Sequence, residues 1–408
     1  MPLENPSNKI MQQAEQLAQF SAMQGGLTRA YLTPEHRKAH QQIALWMEQA
    51  GLHTWQDSVG NQWGRKISAN PVLPTLIIGS HSDTVANAGK YDGMLGILLG
   101  IEALLALKRQ ELPFHIDVVA FADEEGTRFN TTLIGSSAVA GCFQPDWLSI
   151  NDSSGISMGQ AMADFGLNPD LAGNDQRTAD EILAYLEVHI EQGPLLESKN
   201  LPVGVVTGIA GAKRYLFKLR GMAGHAGTVP LALRQDALCG AAEMITTIES
   251  FASRNGIVAT VGKCELPSSA VNVIPGEVHF TLDIRSADQA TLERCSDELL
   301  TQLDKIAQQR QLKLHGEKIY QAKAAPCSQK LQQQWAEVVT QHTGKKACLL
   351  ASGAGHDAMV MGKITDIGML FVRCEKGISH NPREQVLKSD VAVALDCLIG
   401  MINKQADR

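Results

Sequence analysis

The stretch Leu76-Ile77-Ile78-Gly79-Ser80-His81-Ser82-Asp83-Thr84, with its continuation to Phe121-Ala122-Asp123-Glu124-Glu125-Gly126, decides the fold. Leu76-Ile77-Ile78 is a short apolar run that stops at Gly79, which predicts a buried strand. Residues 94–109 predict an apolar helix, and Ile116 to Ala122 a second buried strand. Strand, helix and strand in that order imply a parallel βαβ unit in an α/β sheet.

Working outward, Ile10, Ala14, Leu17 and Phe20 repeat at helical spacing and predict an amphipathic helix over 8–24. Pro34 to Ala50 predicts another, with Pro34 near its start. Residues 184–190 predict a further strand. The middle of the chain has a different texture. Arg214 to Leu219 alternates as a half-exposed strand does, and Pro230 to Asn255 reads as one long helix. Strands follow at 257–261 and 278–283, then a helix at 287–310. After Pro326 the α/β pattern returns, with a strand at 368–373 and a helix at 388–403. An α+β segment of about 110 residues therefore interrupts an α/β domain.

Composition narrows the function classes. At 408 residues the chain is long enough for two or three domains. Its formal net charge of -7 argues against nucleic acid, which calls for a basic stripe. No apolar segment approaches the ~20 residues of a membrane span. The N-terminus shows no basic start followed by an apolar run. The eight cysteines include no C-x-x-C pair, as expected for free thiols in a reducing compartment, so a cytoplasmic location is expected.

Four phrases carry chemistry, each at or just after a predicted strand end. Ligands bind there in open α/β sheets. Gly79-Ser80-His81-Ser82-Asp83-Thr84 offers an imidazole for a metal and, in Asp83, a carboxylate to fix its tautomer. Asp92 precedes Gly93 after a loop. Asp123-Glu124-Glu125 crowds three acids, which is unfavourable unless something positive compensates them. One glutamate can ligate while the other holds a water as a general base. His189-Ile190-Glu191-Gln192-Gly193-Pro194 and Gly377-Ile378-Ser379-His380-Asn381-Pro382 complete the set. Alone, each phrase equally describes a polar loop. Together, nitrogen and oxygen donors without cysteine point to Zn, Mn, Co or Ni. His36, His40, His53, His115, His279, His315 and His342 have no supporting partners in the sequence and read as structural or solvated. Arg234 and Asp236 read as an ordinary helix charge pair.

The order His81, Asp92, Glu124-Glu125, His189, His380 resembles that of the two-metal aminopeptidase/carboxypeptidase-like hydrolases. Within that group, His189-Ile-Glu-Gln-Gly-Pro194, His225-Ala-Gly-Thr228, Asn272-Val-Ile-Pro275 and Gly353-Ala-Gly-His-Asp357 resemble the hydantoinase/carbamoylase amidase branch, from about residue 20 to about residue 400. The resemblance implies a discontinuous catalytic domain, residues 1–211 and 324–408, with a mixed central sheet and helices on both faces. It implies an inserted lid and dimerisation domain at 212–323. It implies two divalent metal ions: His81, Asp92 and His189 share one, and Asp92, Glu125 and His380 the other. Glu124 acts as the general base, with Asp83 beside it in the catalytic set. Gln192, His225, Asn272 and Arg285 contact the substrate, and His225 serves either its own site or that of a partner in a homodimer. His356, beside Asp357 in a glycine-rich loop, is either a further substrate contact or a support for another site residue. The implied substrate is a small ureido acid, allantoate first, with an N-carbamoyl-L-amino acid or ureidoglycolate as the alternatives.

Overall fold

The computed structural model describes residues 5–70 and 72–407. It divides into two compact units, one formed by the chain up to Thr207 and again from Pro326, the other by Gly208–Ala325.

The first unit is built on a mixed sheet whose heart is four neighbouring parallel strands. In spatial order these are His115–Phe121, Thr75–His81, Ile182–Ile190 and Ile367–Val372. Gln62–Lys66 and Val203–Ile209 flank them, each antiparallel to its neighbour. Thr75–His81 and His115–Phe121 are buried at every residue, because helices cover both faces of a central parallel sheet. That is why these strands appear as unbroken apolar runs. The connecting helix, Met94–Ala106, is buried continuously from Met94 to Leu104, which explains its lack of a polar face.

From Thr75–His81 the chain crosses to the strand on one side, and it later places Ile182–Ile190 on the other. The carboxyl edge at such a reversal is where open α/β sheets leave a crevice. His81 ends one strand opposite Phe121, and His189 lies opposite Phe371. The chemistry-bearing phrases therefore share one edge.

The second unit is α+β. Gly211–Arg220 lies between Glu277–Ser286 and Lys313–Ala322, antiparallel to both. Tyr215, Phe217 and Leu219 point inward to a core shared with helices Ala237–Asn255 and Gln289–Gln309, while Arg214, Leu216, Lys218 and Arg220 face out. His225 lies on a separate two-stranded ribbon, opposite Val273.

Several expectations are corrected. The helix expected over 8–24 is Pro6–Ala18 and stops before the turn that leads to Gly25. The single helix expected over 230–255 is a short turn, Leu231–Leu233, followed by Ala237–Asn255. Asp236 causes the break: its carboxylate accepts from Leu238 N and Cys239 N and caps the new helix. Arg234 donates to the carbonyls of Val229 and Ala226, so the two residues are not a helix charge pair. Strands His53–Gln56, Gln62–Lys66 and Lys313–Ala322 were not legible, being short or, in the last, almost wholly exposed. All eight cysteines are free, and among the described residues no helix is long and apolar enough to cross a membrane.

Candidate metal centre

Two histidines anchor the centre with their tautomers set by backbone. His81 Nδ1 lies 3.1 Å from the carbonyl oxygen of Asp83, and His189 Nδ1 2.9 Å from that of Ile190. A carbonyl only accepts, so each ring carries its proton on Nδ1 and turns an Nε2 lone pair inward. Both lone pairs meet one oxygen of Asp92: Oδ1 is 3.5 Å from His81 Nε2 and 3.1 Å from His189 Nε2. The other oxygen, Oδ2, is 3.3 Å from His380 Nε2, and that nitrogen is 3.4 Å from Glu125 Oε1. Each Asp92 oxygen thus faces a different donor group.

The donor set fits a divalent cation on each side. Asp92 Oδ1 is buried and accepts no hydrogen bond among the described residues. Lone pairs from two imidazoles and a carboxylate repel unless a positive charge sits among them. The same demand shows in the titration of the groups. Burial alone would lower the His81 imidazole, but Asp83 and Asp92 outweigh it and raise it well above its ordinary value. Burial pushes the Glu125 carboxyl up to about 7, and the Glu124 carboxyl well above the usual range. A cation bound there would oppose these shifts by favouring bare imidazole and carboxylate. His81, Glu124 and Glu125 also lie within ligand distance of one another, so Glu124 stands beside the pair of groups.

Asp83 organises this edge in a way the sequence did not indicate. Its strand ends at His81, so Asp83 does not continue alongside it as expected. Its carbonyl takes His81 Nδ1, and its carboxylate crosses to accept from Glu124 N at 3.0 Å and Glu125 N at 3.1 Å. Asp83 is fully buried, and its contacts run to the ring and backbone of neighbouring site residues. Gly93 packs against this edge: its φ is 71°, and a Cβ there would lie 2.4 Å from the His81 carbonyl.

Other expected residues divide. Gln192 Nε2 is 2.9 Å from Asp92 Oδ2, in the centre itself. Gln192 and His380 both adopt left-handed backbone, with φ 55° and 53°. That conformation costs about 1–2 kcal/mol per residue and is retained at sites where it aims a side chain. Of the two roles open to His356, its surroundings favour support of another residue over substrate contact. It is enclosed, its Nε2 lies 2.7 Å from Ser352 Oγ, and its ring stands edge-on to His189 at 4.5 Å. It therefore backs His189. His225, Asn272 and Arg285 belong to the second unit. Gly227 N donates to His225 Nδ1, which leaves Nε2–H as an exposed donor, and Ala226 N donates to the Asn272 carbonyl. Arg285 holds Asp283 through two nitrogens, at 2.7 and 3.1 Å.

Sequence reading missed Glu384. It is fully buried, and its Oε1 accepts from Tyr91 N at 2.8 Å and Asp92 N at 3.1 Å. Ser379 Oγ, 2.6 Å from Asp92 Oδ2, is also 3.3 Å from Glu384 Oε2. Glu384 thereby ties the His380 loop to the Asp92 turn. Gly89 makes room, since a Cβ there would sit 2.2 Å from the Glu384 side chain. The available signal was an acid four residues after a candidate ligand histidine. Replacing Glu384 by Ala is expected to weaken divalent-metal affinity about 10- to 100-fold, the usual effect of losing a group that orients a ligand. Glu384→Gln, which keeps the acceptor, should retain most of it. Metal titration checks both, and unchanged affinity in Glu384→Ala would refute the clamp.

Comparison with known proteins agrees with this geometry. The chain is 40% identical over 377 residues to the N-carbamoyl-L-amino acid amidohydrolase of Geobacillus stearothermophilus, covering 92% of each. It is also 40% identical over 423 positions to the allantoate deiminase of Arabidopsis thaliana, covering 96% of this chain and 81% of the plant protein. The crystal structure of a hydantoinase/carbamoylase family amidase from Burkholderia multivorans superposes with a TM-score of 0.91 at 29% identity, over 98% of both chains. With residues 77–404 matching the description peptidase family M20/M25/M40, the chain belongs to that family, in its hydantoinase/carbamoylase amidase branch.

Proposed function

We propose that the chain hydrolyses a C–N bond of a small ureido acid with two divalent metal ions, zinc or manganese, with cobalt or nickel also suited to the donors. The substrate we assign is allantoate, converted with water to ureidoglycine, ammonia and carbon dioxide. The observation that carries the two-metal reading is Asp92, whose oxygens face His81 and His189 on one side and His380 with Glu125 on the other. Divalent cations held there supply Lewis-acid polarisation of the ureido carbonyl and a more acidic water.

The chain's own residues do the rest. Glu124 takes the proton of the attacking water and passes it to the leaving nitrogen, a role worth about 10²–10⁴-fold. Asp83 holds the backbone of Glu124 and Glu125 for that transfer. Gln192, already on Asp92, orients the substrate. The exposed Nε2–H of His225 suits an oxyanion, and Asn272 adds a polar contact. Arg285 receives the substrate carboxylate on a guanidinium it already shares with Asp283. The Gly208–Ala325 unit pairs two copies of the chain, with His225 serving its own site or the partner's.

A second reading has a specific observation in its favour: the N-carbamoyl-L-amino acid and allantoate enzymes resemble this chain equally, at 40% identity. Both substrates place a ureido group near a carboxylate. Ammonia release should therefore be compared across allantoate, ureidoglycolate and several N-carbamoyl-L-amino acids. Allantoate is expected to be turned over fastest, and strong preference for the carbamoyl amino acids would replace our assignment. Chelation should abolish activity, and Mn, Co, Ni or Zn should restore it. Full activity in the chelated, metal-free protein would end the metal reading.

A further inference from the structure

His36 and His40 carry no role in the chemistry described so far, and the sequence offers them no partner. The structure gives them one. Both lie one turn apart on the helix Pro34–Gln49 and both are buried. His36 Nδ1 accepts from Leu32 N at 3.3 Å, and His40 Nδ1 faces the Gln56 side-chain Nε2 at 3.3 Å. Each ring therefore carries its proton on Nε2. Both Nε2–H groups donate to the same atom, the hydroxyl oxygen of Ser82, at 3.1 Å from His36 and 2.6 Å from His40.

The hydroxyl is then saturated. Its two lone pairs take the imidazoles, and its proton goes to the Phe121 carbonyl at 2.8 Å, which also accepts from Ser82 N at 2.9 Å. The Ser82 carbonyl accepts from Arg29 Nε at 2.8 Å, and Arg29 is fully buried. No polar atom of Ser82 is left to choose another orientation. Ser82 sits between His81 and Asp83, and Phe121 lies three residues before Glu124. The network therefore joins the end of one parallel strand to the end of its neighbour, where the two strands' site residues begin.

We propose that His36 and His40 are positioning residues of the centre: through the Ser82 hydroxyl they lock the His81-Ser82-Asp83 turn against Phe121 and so fix the spacing of His81 from Glu124 and Glu125. This rests on the two-metal reading above. The alternative is simple packing. Apolar side chains would serve packing, whereas two imidazoles and an arginine converging on one serine specify its orientation. A proton on His36 Nδ1 would face the N–H of Leu32, and at His40 only the Gly60 carbonyl favours the charged ring, against burial and Arg29. Burial keeps both imidazoles neutral, assisted by Arg29, and lowers His40 to about 3.

The test uses the intact protein and zinc alone as probe, in competition with a chelating dye. Zinc affinity is compared for the wild type, Ser82→Ala, His40→Leu and His40→Gln. Ser82→Ala and His40→Leu are expected to bind zinc about tenfold more weakly. His40→Gln keeps an N–H on the serine and should recover most of the loss. Wild-type zinc affinity in Ser82→Ala and His40→Leu, whatever their melting temperatures, would reduce the histidines to packing and overturn the proposal. If those variants fail to fold, imidazole ¹⁵N spectra of the wild-type protein decide the matter. Both rings should show the neutral Nε2–H form, and both signals should move on zinc addition. Signals that stay fixed while zinc binds would overturn the proposal. A wild-type protein that takes up no zinc, manganese, cobalt or nickel would instead bring down the metal reading on which it rests.

Discussion

Glu124→Gln is expected to abolish turnover while leaving the divalent-metal content near that of the wild type. The carboxylate lies at the edge of the centre and is held in place by its own backbone, whose N–H donates to Asp83 at 3.0 Å. Glutamine preserves the shape and that backbone bond but cannot accept a proton from water. The expected loss is about 10²–10⁴-fold, the usual worth of a positioned acid–base group. Burial makes this side chain sensitive to its surroundings: alone it is pushed well above the usual carboxylate range, and cations bound nearby would favour the ionised form that a base requires. Turnover and elemental analysis on the same sample separate the possibilities. Near-normal turnover would remove Glu124 from the mechanism. Loss of metal along with turnover would make it a ligand, a role its distance to His81 and Glu125 permits.

Asp92→Asn should have the larger effect on metal. One carboxylate faces both donor groups, so a neutral amide weakens both at once and places an N–H where a cation or a lone pair belongs. Loss of a group that merely orients a ligand costs about 10- to 100-fold in metal affinity, and loss of a shared anionic ligand should exceed that. The fold should survive. Glu384 binds the backbone N–H of residue 92, and Gln192 and Ser379 lie on Oδ2, the contacts an amide oxygen could keep. Metal per chain after dialysis is the measurement. A variant that retains wild-type metal would show that Asp92 does not serve both groups.

The two changes separate the centre into its parts, since one is expected to stop proton transfer with the metals in place and the other to empty the site. Their contrast follows from geometry. Glu124 belongs to neither group around Asp92, whereas Asp92 belongs to both.

Much of the arrangement was legible in the chain because two periodicities are local. Leu76-Ile77-Ile78 and Val118-Val119-Ala120 are apolar at every position because both faces of a parallel strand are covered, and such runs announce the sheet directly. Strand ends carrying His81, Glu124-Glu125 and His189 were therefore placed on one edge by the sequence pattern. The inserted α+β segment was visible in the alternation of residues 214–219. Contacts between distant parts of the chain were not legible. Glu384 reaches Asp92 across 292 positions, and His40 reaches Ser82 across 42, and neither leaves a local pattern. Exposed strands such as Lys313–Ala322 carry no apolar rhythm, and helix breaks such as that at Asp236 depend on which polar side chain finds a backbone partner.

By itself, then, the sequence determined the α/β class, the interruption by a second unit, and the residue types gathered at the strand ends, because burial writes period and composition into neighbouring residues. Only the tertiary structure decided which atom faces which. It turned the Asp83 carboxylate onto the two glutamates, aimed one Asp92 oxygen at each donor group, enclosed His356 behind His189, and set two unassigned histidines on one serine hydroxyl. These are hydrogen-bond and lone-pair directions, and they exist only once the folded chain has brought the partners within reach.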